Sequence, residues 1–170
     1  MEKKPLEILV VEDMPENLAA AKDYFQGIEG VKIDYASNFE QAKKKLEDNV
    51  YAAAIIDMHI PKAEGGMPEK IGYELAAVAQ QYSVCFVIFS AAIHGGKSFV
   101  SMQPGGTFGM MGSGSATKSP SKSAPEAWEE VFAELKKQFP GMGTIQAAKM
   151  KYKQVLGIQY KVQQRPDWSR

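Results

Sequence analysis

Ile8-Leu9-Val10-Val11-Glu12-Asp13-Met14-Pro15-Glu16-Asn17 sets a short apolar run directly against two acids and a proline. Four consecutive apolar, mostly β-branched residues read as a strand buried on both faces. Pro15 suits the first turn of a helix, where the N–H it lacks would be unpaired anyway. Leu18, Ala21 and Phe25 then follow at helical spacing. A strand thus ends on Glu12 and Asp13, and a helix begins almost at once.

The same grammar repeats outward. Residues 31–36 alternate Val, Ile and Tyr with Lys and Asp, the pattern of a strand near a sheet edge. Ser37-Asn38-Phe39-Glu40 has the spacing of a capping box and opens a helix with Phe39, Ala42 and Leu46 inward. Residues 52–58 form a third strand, apolar until Asp57. Ile71, Leu75, Val78 and Tyr82 mark a further helix, and residues 84–89 a fourth strand. Strands alternating with helices imply an α/β fold with a parallel sheet covered on both sides. Central apolar strands and a weaker second strand match the flavodoxin-like order 2-1-3-4-5, a doubly wound five-stranded sheet.

Beyond Phe89 the periodicity loosens. Residues 94–125 hold seven Gly and seven Ser, which reads as a long irregular loop. Residues 99–102 and 108–111 are the two candidates for the fifth strand. Order returns at Ser123-Ala124-Pro125-Glu126, a second capping-box pattern, followed by Trp128, Val131, Phe132, Leu135 and Phe139 on one helical face. The expected organisation is a domain over residues 1–140, with its irregular loop at 94–124, and a basic helical extension over 141–170. In that extension Ile145, Ala148, Tyr152 and Val155 form a stripe expected to pack on the body, and Gly157 is the expected C-cap.

The chain has 20 basic and 20 acidic residues, but from Gly141 onward there are six Lys or Arg against Asp167 alone. The tail is therefore net positive and the remainder net negative, which argues against nucleic-acid binding by the chain as a whole. No apolar stretch has the ~18 residues of a membrane span. The N-terminus enters its first strand without the apolar region of a secretion signal. The single cysteine, Cys85, lies in an apolar run and reads as a buried thiol in a reducing compartment. The expectation is a cytoplasmic protein without membrane contact.

Three acids stand where strands end: Glu12 and Asp13 after the first, Asp57 after the third. In a doubly wound sheet these strands are neighbours, and sites form at their C-terminal ends. Crowded carboxylates repel and stay ionised only beside a cation. A hard divalent ion with oxygen ligands, such as Mg²⁺, meets that need.

These motifs together resemble the receiver domain of response regulators. The stretch from Ile8 to Asn17 is similar to that family's first strand and acidic pair. Ile55-Ile56-Asp57-Met58-His59-Ile60-Pro61 resembles its phosphoacceptor strand, and Phe89-Ser90-Ala91 the hydroxyl-plus-small pair closing its fourth strand. The resemblance covers roughly residues 6–92 and the Trp128 helix. It implies that Asp57 accepts a phosphoryl group and that Glu12, Asp13, Asp57 and the backbone carbonyl of His59 hold Mg²⁺. It also implies that Ser90 bonds the phosphoryl oxygen. The donor would be a histidine kinase or histidine phosphotransfer protein of a two-component phosphorelay. Output would go to a further protein by conformational switching, so the chain is a self-phosphorylating signalling module and not a turnover enzyme.

Two departures stand out. Gly65 falls eight residues after Asp57, as in the family, but residues 66–71 read as an insertion before Gly72-Tyr73-Glu74-Leu75. The family's lysine, normally followed by proline, has no clean match. Lys118, in Thr117-Lys118-Ser119-Pro120, is the nearest, with Lys122 and Lys97 as alternatives. A phosphorylation-independent pseudo-receiver, acting as an interaction module, is the competing reading. A metal-dependent phosphohydrolase of the haloacid-dehalogenase type would want Asp-x-Asp after the first strand, which Glu12-Asp13-Met14 lacks. His59, His94 and Asp57 form a conceivable second metal arrangement.

Overall fold

A computed structural model describes residues 3–91, 97–102, 108–112 and 121–162. Its centre is a sheet of β1 (Leu6–Val11), β2 (Val31–Ala36), β3 (Ala53–Ile56), β6 (Cys85–Ala91), β7 (Lys97–Met102) and β8 (Phe108–Gly112), in the order β2-β1-β3-β6-β7-β8. The pairs β2–β1, β1–β3 and β3–β6 are parallel. Alternate residues of each strand point to opposite faces, and the two faces build two cores. Ile8, Val10, Ile55, Val87 and Phe89 meet α1 (Pro15–Phe25) and α4 (Pro125–Gln138). Leu9, Val11, Ile56, Phe86 and Ile88 meet α2 (Phe39–Asp48) and α3 (Gly72–Gln81).

The parallel part agrees with the expected order, but the five-stranded parallel sheet is replaced by six strands of mixed direction. Both candidate segments for the fifth strand are strands, and β7 runs antiparallel to β6 and β8 antiparallel to β7. The connections at 92–96 and 103–107 are short. A parallel neighbour needs a crossover of about a dozen residues or more, which neither connection can supply. Two reversals leave β8 running with the central strands. Its C-terminal end therefore faces the same sheet edge as the ends of β1, β3 and β6.

Local caps also differ from the sequence reading by one residue. Asn38, not Ser37, is the N-cap of α2: its Oδ1 accepts from the Gln41 amide at 2.9 Å, and Gln41 Oε1 accepts from the Ser37 amide at 2.8 Å. The second box does not form; Ala124 caps α4 without a side-chain bond, and Ser123 engages the Ser121 hydroxyl instead. The segment after Asp57 folds on itself as a hairpin, β4 (His59–Pro61) against β5 (Pro68–Lys70), with the insertion at residues 66–71 supplying its second strand. Gly65 provides the left-handed turn residue at φ 77°.

α5 (Met142–Leu156) crosses the opposite, N-terminal edge of the sheet. Gln146 accepts from the Glu7 amide at 2.8 Å and donates to the Pro5 carbonyl at 2.9 Å, beside the start of β1. The Lys149 ammonium donates to the carbonyls of Tyr51, Tyr82 and Ser83 at 2.8, 3.1 and 3.0 Å, ahead of β3 and β6. Gly157 closes the helix at φ 73°. The tail then returns along the body, with Gln159 donating to the Leu46, Glu47 and Asn49 carbonyls at the end of α2. The extension therefore docks on its own domain, but through the face opposite to the expected one. Met142, Gln146 and Lys149 are buried, whereas Ile145, Tyr152 and Val155 are exposed. Backbone carbonyls at strand starts need donors, and the polar side chains of α5 supply them. Among the described residues no helix is long and apolar enough to cross a membrane.

Burial pushes the Lys149 amine down to about 8, from an ordinary 10.5. The folded state then holds fewer protons than the unfolded chain between those values, so this group's contribution to stability rises with pH across that window. At 1.36 kcal/mol per unit the full rise is about 3 kcal/mol. Denaturant unfolding of the parent and of Lys149→Met at pH 7.5 and pH 10 should show a gain in the parent relative to the variant.

Candidate functional site at the carboxyl ends of the strands

β1 delivers Glu12 and Asp13, and β3 delivers Asp57, at the same edge. The Glu12 amide bonds the Ala36 carbonyl at 3.0 Å and the Asp57 amide bonds the Val11 carbonyl at 3.0 Å, so the sheet ladder continues into the site. One carboxylate oxygen from each of Glu12, Asp13 and Asp57 lies within 4.8 Å of the others. Asp13 and Asp57 are partly open to solvent, whereas Glu12 is fully buried.

Lys122 fills the middle of this cluster. Its Nζ is ion-paired with Glu12 Oε2, stands 3.3 Å from Asp57 Oδ2, and donates to the Phe89 carbonyl at 2.8 Å. The side chain is 3% exposed. Phe89 and Trp128 flank the ammonium, with ring centroids at 4.9 and 6.0 Å, and the Trp128 indole donates to the Lys122 carbonyl at 2.8 Å. A cation over aromatic faces gains further electrostatic stabilisation.

The other Glu12 oxygen, Oε1, accepts from the Met14 amide and the Asn17 side chain, both at 3.2 Å. With Lys122 on Oε2, Glu12 has little capacity left for a direct metal bond. Burial is the main reason the Glu12 carboxyl lies above its ordinary value; Lys122 opposes this and Asp57 adds to it. Asp13 is also raised, by burial and then by Glu12. The cluster is thus three acids against one lysine, which is shared between Glu12 and Asp57, with Asp13 and Asp57 on the more open side. Such a donor set fits a hard divalent cation.

Glu12, Asp13 and Asp57 come together. Ser90 is buried at the end of β6, next to the carbonyl that Lys122 engages. His59 is exposed, and its amide donates to Asp57 Oδ1 at 3.3 Å. Lys118 and His94 lie outside the described residues. Lys122, the alternative, is the lysine found between the acids. Trp128 and Asn17 act at the site although their spacing marks them only as a core residue and a helix residue. Gly72 is a further missed constraint: a Cβ there would stand 2.4 Å from the Asp57 carbonyl oxygen and 2.6 Å from Met58 Cα. The Gly72 amide bonds the Met58 carbonyl at 2.9 Å, which ties the start of α3 to the loop carrying Asp57.

No family model matches the sequence. A comparison with curated proteins gives no match either. Among solved structures the chain is similar to a fusion carrying a yeast Spc42 trimeric coiled-coil segment, at 23% identity and TM-score 0.43 over 54% of this chain and 58% of that one. It is similar to an aspartate-to-alanine mutant of the response regulator MaeR bound to sulfate, at 20% identity and TM-score 0.42 over 52% and 69%. It is also similar to the bacteriophytochrome response regulator AtBRR, at 17% identity and TM-score 0.40 over 54% and 70%.

Removing one partner of a buried ion pair leaves an uncompensated charge and costs about 3–5 kcal/mol. Lys122→Met should therefore be strongly destabilised at pH 7. With Lys122 gone the Glu12 carboxyl rises further, so the folded state takes up a proton that the unfolded chain holds only at lower pH. The defect should shrink as pH falls toward the ordinary glutamate value. Urea unfolding at pH 7 and pH 5 measures both effects. Gly72→Ala should cost at least about 1–3 kcal/mol through backbone overlap, the range of an overpacked site.

Proposed function

We propose that the chain is a receiver-type signalling module that accepts a phosphoryl group on Asp57. The observation that carries this reading is the Lys122 ammonium set between Glu12 and Asp57 at the strand ends, with Asp13 alongside. Asp57 is the acid of the cluster suited to attack: it is partly open to solvent, while Glu12 is sealed and engaged on both oxygens.

One Asp57 carboxylate oxygen attacks the phosphorus of a phosphohistidine. The new O–P bond gives an acyl phosphate, the P–N bond breaks, and its electron pair returns to the imidazole, which takes up a proton. Lys122 faces the negative charge gathered on the phosphoryl oxygens, where a fixed cation in a water-poor site is most effective. Asp13 and Asp57, with Glu12 through water and the His59 carbonyl, would hold Mg²⁺. The ion would supply further neutralisation of the phosphoryl charge. Ser90, buried near the end of β6, would bond a phosphoryl oxygen, and the Lys122–Phe89 contact would couple that event to the β6 edge. The donor would be a histidine kinase or phosphotransfer protein, in the cytoplasm, and the output a protein contact.

Acetyl phosphate with Mg²⁺ should add one phosphoryl group, seen by intact-mass spectrometry and lost in Asp57→Asn. Absence of an adduct, under conditions that label an ordinary receiver, would favour the phosphorylation-independent interaction module. Mg²⁺ should also raise the melting temperature by mass action. Asp13→Ala should abolish that rise, and equal responses in both proteins would remove the metal site.

A further inference from the structure

α5 is turned inside out relative to its sequence. Apart from Met142 at its start, its inward contacts are polar: Gln146 and Lys149 bond strand-start backbone, and Lys153 donates to the Asp48 carbonyl at 2.6 Å. Its apolar stripe faces outward. Ile145 and Tyr152 are exposed, Val155 is 71% exposed and Leu156 55%. Ile145, Ala148, Tyr152 and Val155 follow at steps of three, four and three, so they share one helical face. The turn after Gly157 extends the surface, with Ile158 60% exposed and Tyr160 edge-on to Tyr152 at 5.4 Å between centroids. Scattered exposed apolar residues are ordinary, but a contiguous patch marks an interaction surface.

We propose that this outward face docks an amphipathic helix of a partner protein whose flanks are acidic. The 3-4-3 spacing is that of a seam between two packed helices. The charge is one-sided: residues 142–162 contain four lysines and no Asp or Glu. Lys149 is buried, Lys153 is engaged with backbone and Lys161 stands over the Tyr82 ring at 5.7 Å, while Lys151 is exposed on the helix one residue before Tyr152 of the stripe. A second copy would bring the same cations against each other, whereas glutamates flanking a partner's apolar seam would meet them with opposite charge. The surface lies at the sheet edge opposite the carboxylate cluster, so the proposal stands on α5 and its charge pattern, independently of phosphorylation.

Two synthetic helical peptides test it against the full chain by fluorescence anisotropy, both with leucine at the a and d heptad positions. One carries glutamate at the flanking positions and the other lysine. The glutamate peptide should bind at least about tenfold more tightly, with an advantage that falls as salt is added. The double variant Ile145→Ser, Val155→Ser should lose that binding while keeping the parent's melting temperature, because neither side chain enters the core. Lys151→Glu should narrow the preference between the peptides. Equal binding of both peptides, or binding unchanged in the double variant, would overturn the proposal. So would self-association that the double variant abolishes, or capture by phosphatidylglycerol vesicles without peptide binding.

Discussion

The Lys122 ammonium touches the Glu12 carboxylate, the Asp57 carboxylate and the Phe89 carbonyl, which belong to the ends of three neighbouring strands. Parallel strands leave their carboxyl ends facing one crevice, and the turns there bring acids together that would otherwise repel. A buried carboxylate such as Glu12 persists only with a partner and donors around it. Lys122 is that partner, with Met14 and Asn17 as donors, and Trp128 holds its backbone from α4. The packing of α4 on β6 therefore fixes the cation, and the cation fixes the spacing of β1 and β3.

That arrangement explains how a sheet with two antiparallel pairings still closes its site. The β7–β8 pair reverses twice, so the chain leaves β8 on the carboxylate edge and can re-enter at Lys122 before α4. Among the described residues it is Lys122, in the segment between β8 and α4, whose ammonium reaches the carboxylates. A pattern search for lysine followed closely by proline points to Lys118, since sequence spacing carries no information about which ammonium can reach a buried glutamate.

The central half of the fold was legible because burial writes itself into sequence at β1, β3 and β6. Continuous apolar runs ending in acids gave both the parallel strands and the acids of the site. The directions of β7 and β8 were hidden, because Gly- and Ser-rich flanks carry no periodicity and direction depends on connection length. The caps at Asn38 and Ala124 moved by a residue since several Ser and Asn side chains compete for the same amides. α5 was misread in orientation for a different reason. An apolar stripe normally finds the core, but here the carbonyls of Tyr51, Tyr82 and Ser83 accept from Lys149 and Gln146 binds the start of β1. Satisfying that backbone outweighs burying Ile145 and Val155. The Asp57–Gly72 approach left no sequence signal beyond a glycine before an apolar helix.

The proposed phosphorylation needs a fixed cation beside Asp57, and the Lys122 ammonium stands there at 3.3 Å. The direct measurement is the rate of acetyl-phosphate labelling at Asp57 for Lys122→Arg and Lys118→Met, at a temperature where circular dichroism shows both variants folded. The account expects Lys118→Met to label at the parent's rate and Lys122→Arg to fall at least about tenfold, the loss of one positioned charge contact worth about 1.4 kcal/mol or more. Parent-like labelling of Lys122→Arg together with loss in Lys118→Met would contradict it.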